Sequence, residues 1–199
     1  HTSPRDYNKL IPFIDFAAEM GWEYSLIDAN WNIMQNGSIE KLIQYAKTKN
    51  VGLLLWYNSG GIHTDITEQP RDIMSDPARR KDEFKKLYNW GVKGVKVDFF
   101  NSDKPAIMKY YQDILKDAAD HQILVDFHGS TLPRGWDRTY PNLMSMEGVR
   151  GAEQYWDTTF AEHAHTYHTI LPCTRNEVGS MDYTPLTFTN SEVPHLTTY

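Results

Sequence analysis

The chain has 199 residues, 40% of them hydrophobic and 23% charged, which is enough for one sizeable folded domain and excludes a disordered one. Its net charge of −6, with basic residues scattered along the chain, gives no electrostatic footprint for nucleic acid or anionic lipid. No apolar stretch approaches the roughly 20 residues of a membrane span, and the single cysteine, Cys173, excludes an internal disulfide framework and reads as a small core residue.

In chain order, "YNKLIPFIDFAAEMG" predicts an opening helix in which Pro12 marks a kink or a late start. "YSLIDANW" (24–31) predicts a first strand. "SIEKLIQYAKTKN" then places Ile39, Leu42, Ile43 and Ala46 on one helical face, with Ser38 as N-cap. A second strand follows in "VGLLLWYN" (51–58). "SDPARRKDEFKKLYNWG" predicts a helix capped by Asp76, opened by Pro77, burying Phe84, Leu87 and Trp90, and stopped at Gly91. "VKGVKVDFF" (92–100) is a third strand, because Val92, Val95 and Val97 are β-branched. "DKPAIMKYYQDILKDAAD" predicts a helix from Asp103 with Ile107, Tyr110, Tyr111, Ile114 and Ala118 aligned, and "QILVDFHG" (122–129) a fourth strand.

The near-continuous apolar runs fit strands buried on both faces of a parallel sheet. Their ends near Asp28, Tyr57, Asp98 and Phe127 recur at a regular βα interval that calls for right-handed crossovers. A doubly wound sheet would carry a phosphate-binding glycine signature after an early strand, and none is present. A (β/α)8 barrel instead gathers polar residues after several strands. The strands end in that way: Asp28, Asn30 and Trp31; Tyr57 and Asn58; Asp98 and Asn101; Asp126 and His128. The fold class expected is therefore α/β, a TIM-type barrel that is incomplete in this chain. Two further strands are expected, one in "NLMSM" and one near "EVGSMDYTPLTF".

Asp98 stands at the carboxyl end of a strand, where barrels place nucleophiles and general bases, and that role is favoured over the alternative of serving the following loop or capping a helix near Asp103. Lys96 shares its side of the strand and would favour the ionised carboxylate. Glu147 and Glu153 straddle two glycines in "MEGVRGAE", close in sequence to Trp136, Tyr140, Tyr155 and Trp156, whose rings would exclude water and raise a carboxyl pKa. Two acids with different tasks are the pattern of glycoside hydrolysis. The aromatic share of 13%, with six Trp and twelve Tyr, suits sugar stacking as well as a large core. His163, His165 and His168 lack the spacing of a zinc signature, and Ser180 lies in no nucleophile elbow.

The stretches "IDFAAEMGWEYSLIDANW", "GVKGVKVDFF", "VDFHGSTLPRGWDRTYPNLMSMEGVRGAE" and "GSMDYTPLTF" closely resemble the catalytic barrel of glycoside hydrolase family 97, over nearly the whole chain. The family holds inverting α-glucosidases and retaining α-galactosidases. Inverting members carry a basic glutamate after the "FH", where this chain has Gly129, whereas retaining members carry a nucleophilic aspartate where Asp98 stands; "KVD" is also similar to other α-galactosidase families of the same clan. The resemblance thus implies a retaining α-galactosidase with Asp98 as nucleophile and Glu153 as acid/base. It also implies a calcium ion held by Glu147 and Glu153, with Lys96, Asp28 and Trp31 against the sugar. The alternatives are an α-glucosidase with the same barrel and a carbohydrate-binding barrel whose catalysis has lapsed.

The resemblance further implies what surrounds these residues. An N-terminal β-sandwich, a first barrel strand, the last barrel strands and a C-terminal β domain are expected outside 1–199, in a periplasmic or secreted enzyme. The 199 residues alone are expected to aggregate or to hydrolyse nothing.

Overall fold

The computed structural model describes residues 5–184. Among the described residues, five α-helices and five strands follow one another, alternating as far as β4: α1 (Tyr7–Glu19), β1 (Tyr24–Ile27), α2 (Ile39–Thr48), β2 (Gly52–Asn58), α3 (Pro77–Trp90), β3 (Gly94–Asp98), α4 (Pro105–Ala119), β4 (Leu124–Phe127), then β5 (Leu143–Met146) after a short 3-10 turn, and α5 (Thr158–Ile170). The strands are all parallel and lie in sequential order, β1-β2-β3-β4-β5. Among the described residues the sheet is open at β1 and at β5. The α/β class and the βα rhythm are as expected, and β5 is the strand foreseen in "NLMSM".

Helix starts and stops follow local chemistry. Ser38 accepts a hydrogen bond from the Lys41 N–H, and Asp76 accepts from those of Ala78 and Arg79, each satisfying donors that the first helical turn leaves unpaired. Gly91 ends α3 in the left-handed conformation at φ 85°, which costs glycine little. Two expectations about ends fail. The N-cap of α4 is Lys104, not Asp103, because Pro105 takes the first helical position and forces the preceding residue to be extended. Pro12 is no late start: Asp6 caps α1 by accepting from the Asn8 N–H, and the proline lies inside the helix.

Burial on both faces holds for β2, β3 and β4 but not for β1, whose Tyr24 and Leu26 are exposed at the open edge of the sheet. Trp90 is only half-buried, and Cys173 is exposed rather than in the core. Of the last strand expected, near "EVGSMDYTPLTF", the described part forms a short helical turn at Arg175–Val178 and irregular chain; the remainder lies outside the described residues.

The core lies between the sheet and the helices. Tyr57, Val97, Phe127 and Met146 point that way: Tyr57 donates its hydroxyl to Glu83 on α3, and Phe127 meets Tyr111 of α4 edge-on at 4.8 Å. Each fully buried side chain of this size contributes about 1.5–3 kcal/mol. An ion pair ties α3 to α4 within this layer, as Arg80 Nε donates to Asp117 Oδ2 at 2.8 Å and Nη1 donates to the Met74 carbonyl. Tyr57, expected at the mouth of the fold, belongs to this helix-facing layer because successive strand residues alternate sides.

Candidate active site

That alternation decides what faces the other side of the sheet. The register aligns Trp56 with Lys96, Lys96 with Asp126, and Asp126 with Ser145. Two residues further on, Asn58 aligns with Asp98, and the same register continued one step past Phe127 and Met146 brings His128 and Glu147 level with them. Two polar rows thus lie on the face away from the helices, at the carboxyl ends of the strands, where parallel βα folds keep their sites.

Asp98, 3% exposed, is the centre of the upper row. Its Oδ2 accepts from the Trp56 indole N–H at 3.0 Å and its Oδ1 from the Phe99 N–H at 2.7 Å. His128 Nδ1 stands 3.5 Å from Asp98 Oδ2 and 3.5 Å from Glu147 Oε2, while Nε2 stands 3.3 Å from Asp182 Oδ2. Both ring nitrogens therefore face carboxylates, which suits the imidazolium with two donors. Burial pulls the His128 pKa down, yet Asp98 and Glu147 push it up to about 9. Burial alone would raise the Asp98 carboxyl; His128, Lys96 and the Trp56 N–H outweigh it and hold the group below its ordinary value, so it is ionised.

Beneath Asp98, Lys96 Nζ lies 3.4 Å from Asp28 Oδ2. Burial works against the ammonium, but Asp28, Asp98, Asp182 and Glu153 surround it and raise its pKa. Asp126, which accepts from the Ser145 hydroxyl, is pushed up to about 7, first by burial and then by Asp182. Trp31 is 5% exposed; its N–H donates to the Trp56 carbonyl at 2.8 Å and its ring meets Tyr57 edge-on. Of the residues expected at the site, Asp98, Lys96, Asp28, Glu147 and Glu153 thus converge, and Trp31 reaches Asp98 only through Trp56.

Glu147 rides on a tight loop just past β5. Its Oε2 accepts from the Gly129 N–H at 2.7 Å, and burial raises its pKa against the opposing pull of His128 and that N–H. His128, Glu147 and Glu153 each offer one ligand atom, all within 4.8 Å of one another. Two carboxylates suit calcium as part of a shell of six to eight oxygens. His128 Nδ1 already faces Asp98 and Glu147, and calcium prefers oxygen ligands, so Glu147 and Glu153 are the better suited of the three. His163 and His168 are engaged elsewhere, with the Thr159 carbonyl and the Tyr155 hydroxyl, and none of the three helix histidines joins this group.

Some residues that build the site carried no readable sequence signal. Trp56 looks like one more apolar strand residue. Arg175 lies far along the chain in "CTRNEVG", yet it is buried and donates to the carbonyls of Met146, Glu147 and Gly148, clamping the loop that carries Glu147. His128 was visible only as a polar strand end.

The chain matches the family model described as Glycoside hydrolase 97 over residues 2–149. It is 37% identical over 196 residues to a probable retaining alpha-galactosidase of Streptomyces bingchenggensis, an alignment covering 92% of this chain and 28% of that protein. To the retaining alpha-galactosidase of Bacteroides thetaiotaomicron it is 31% identical over 182 residues, covering 86% and 25%. The crystal structure of a beta-arabinopyranosidase superposes with a TM-score of 0.85 at 43% identity, covering 90% of this chain and 29% of that one. The chain therefore spans between a quarter and a third of the length of these relatives.

Proposed function

The chain belongs to glycoside hydrolase family 97, and on that footing we propose that it is the central part of a retaining α-glycoside hydrolase of the α-galactosidase kind. One observation carries the reading. Gly129 has φ +51°, and a Cβ on it would stand 2.9 Å from the Phe99 nitrogen and 3.1 Å from Asp98 Oδ1. A glutamate at that position, as the inverting pattern requires, competes for the space that Asp98 occupies, so an aspartate here and a glycine there form one consistent set.

In this reading an ionised Asp98 oxygen attacks the anomeric carbon, the bond from that carbon to the leaving oxygen breaks, and Glu153 gives the leaving oxygen its proton. Water, deprotonated by Glu153, then releases the sugar from Asp98. The two carboxyls of such an enzyme work about 5–5.5 Å apart. Lys96 and Asp28, on the floor beneath Asp98, are suited to hydroxyl groups of the sugar; Trp31, buried as it is, serves the pocket through Trp56. Glu147 and Glu153 would hold a calcium ion, which would supply positive charge to the site. We further propose that the sandwich and C-terminal domains expected from the family lie in the longer protein, exported to the periplasm or medium.

A second reading of the substrate is favoured by the 43% identity to a beta-arabinopyranosidase. A β-L-arabinopyranoside has the ring stereochemistry of an α-D-galactopyranoside with hydrogen in place of the C6 hydroxymethyl group. The test offers the full-length enzyme aryl α-galactoside, β-L-arabinopyranoside and α-glucoside, and follows the first-formed sugar by NMR. Hydrolysis of the first two with the anomeric configuration kept is the expected result. An inverted first product overturns retention, preference for the glucoside overturns the substrate assignment, and binding without turnover favours the lapsed barrel.

A further inference from the structure

We propose that Trp56 is a positioning residue for Asp98, setting the orientation of the attacking carboxylate; this rests on Asp98 being the nucleophile. Trp56 is fully buried in the middle of the sheet, on the polar face, one strand away from Asp98. A buried indole places its N–H on a partner because leaving it unpaired costs desolvation energy. Here the partner is Asp98 Oδ2 at 3.0 Å. The Trp56 backbone is itself held from outside the sheet, since Trp31 donates its own N–H to the Trp56 carbonyl at 2.8 Å.

Asp98 has one close donor on each oxygen, and the two are not equivalent. The Phe99 N–H on Oδ1 belongs to the next residue, so it moves with Asp98. That peptide is in an unusual state, because Phe99 has φ 67°, where a bulky side chain is strained. The Trp56 donor comes from a different strand and ties the carboxylate to the sheet. His128 Nδ1 reaches the same Oδ2 from 3.5 Å. Attack on an anomeric carbon needs the oxygen aligned at about 3–3.5 Å, and small misplacements are expensive in rate. Removing the indole N–H frees Asp98 to rotate, which lowers the fraction of bound substrate in a reactive pose and leaves ground-state binding nearly unchanged.

The test uses the full-length enzyme and 5-fluoro-α-D-galactosyl fluoride. In that reaction the C1–F bond breaks, fluoride leaves with the electron pair, and a C1–O bond to Asp98 forms. Mass spectrometry of the digested wild-type protein then identifies the labelled residue. No label on Asp98 in the wild type overturns the nucleophile assignment itself and, with it, the role of Trp56. With that label established, Trp56→Phe is expected to label the same residue, at a limiting rate per trapped site about 10- to 100-fold lower. The half-saturating inactivator concentration is expected to change by less than about threefold. Counting only trapped sites removes any contribution from misfolded protein. An unchanged or faster limiting rate overturns the proposal, as does a loss confined to half-saturation. If Trp56→Phe does not fold, Trp56→Met, which is flexible enough to fill the space and carries no N–H or O–H donor, is read in the same way.

Discussion

Gly129 and Asp98 sit so close that a Cβ on the first would be 3.1 Å from Oδ1 of the second. The same Cβ would stand 2.9 Å from the Phe99 nitrogen, and the backbone of Gly129 is in the left-handed region, so even alanine is opposed twice. Gly129→Ala is expected to cost about 1–3 kcal/mol of stability and, by displacing Asp98, at least about tenfold in kcat. Urea unfolding and steady-state kinetics read the two effects separately. Unchanged kcat would show that the close approach does not constrain the carboxylate.

Removal of divalent ions is expected to lower activity on an aryl α-galactoside, and calcium is expected to restore it. Glu147→Gln keeps the shape but removes a charge next to Glu153, so calorimetry should show weaker calcium binding by this variant. Full activity after exhaustive chelation would contradict the calcium assignment.

Arg175 donates to three consecutive carbonyls on the Glu147 loop, from a position almost thirty residues downstream. Groups that orient ligands from behind typically cost about 10–100-fold in metal affinity when removed. Arg175→Met is expected to fall in that range by calcium titration, and Arg175→Lys to recover little, because an ammonium lacks the planar fork that spans several carbonyls. Calcium affinity equal to wild type in Arg175→Met would show that the loop holds its shape without the clamp.

The Arg80–Asp117 pair between α3 and α4 is almost wholly buried. Arg80→Met leaves the Asp117 carboxylate without its main partner and is expected to destabilise by about 3–5 kcal/mol. Arg80→Met combined with Asp117→Leu removes both charges and is expected to recover most of the loss. Denaturant midpoints of the two variants test this, and equal losses in both would rule out the stranded charge as the cause.

The chain's own residues determine the order of elements and most of their ends. Apolar runs of strand length, helical stripes such as Ile39-Leu42-Ile43-Ala46, and stop signals such as Gly91 act locally and are readable without tertiary contacts. Asp98, Lys96 and Glu147 were equally visible, because polar residues beside apolar strands stand out. The exceptions have local or topological causes: Pro105 displaced the expected cap of α4, and the open edge exposed β1.

Only the tertiary structure decided which side each strand residue faces and which distant groups meet. Register put Tyr57 on Glu83 and Trp56 on Asp98, residues adjacent in sequence but opposite in role. It also set His128 between Asp98, Glu147 and Asp182, and brought Arg175 under the Glu147 loop. Such pairings depend on strand alignment and long-range burial, which no short stretch of sequence encodes. For that reason the carboxylates were legible early, whereas the groups that orient and charge-balance them became visible only in three dimensions.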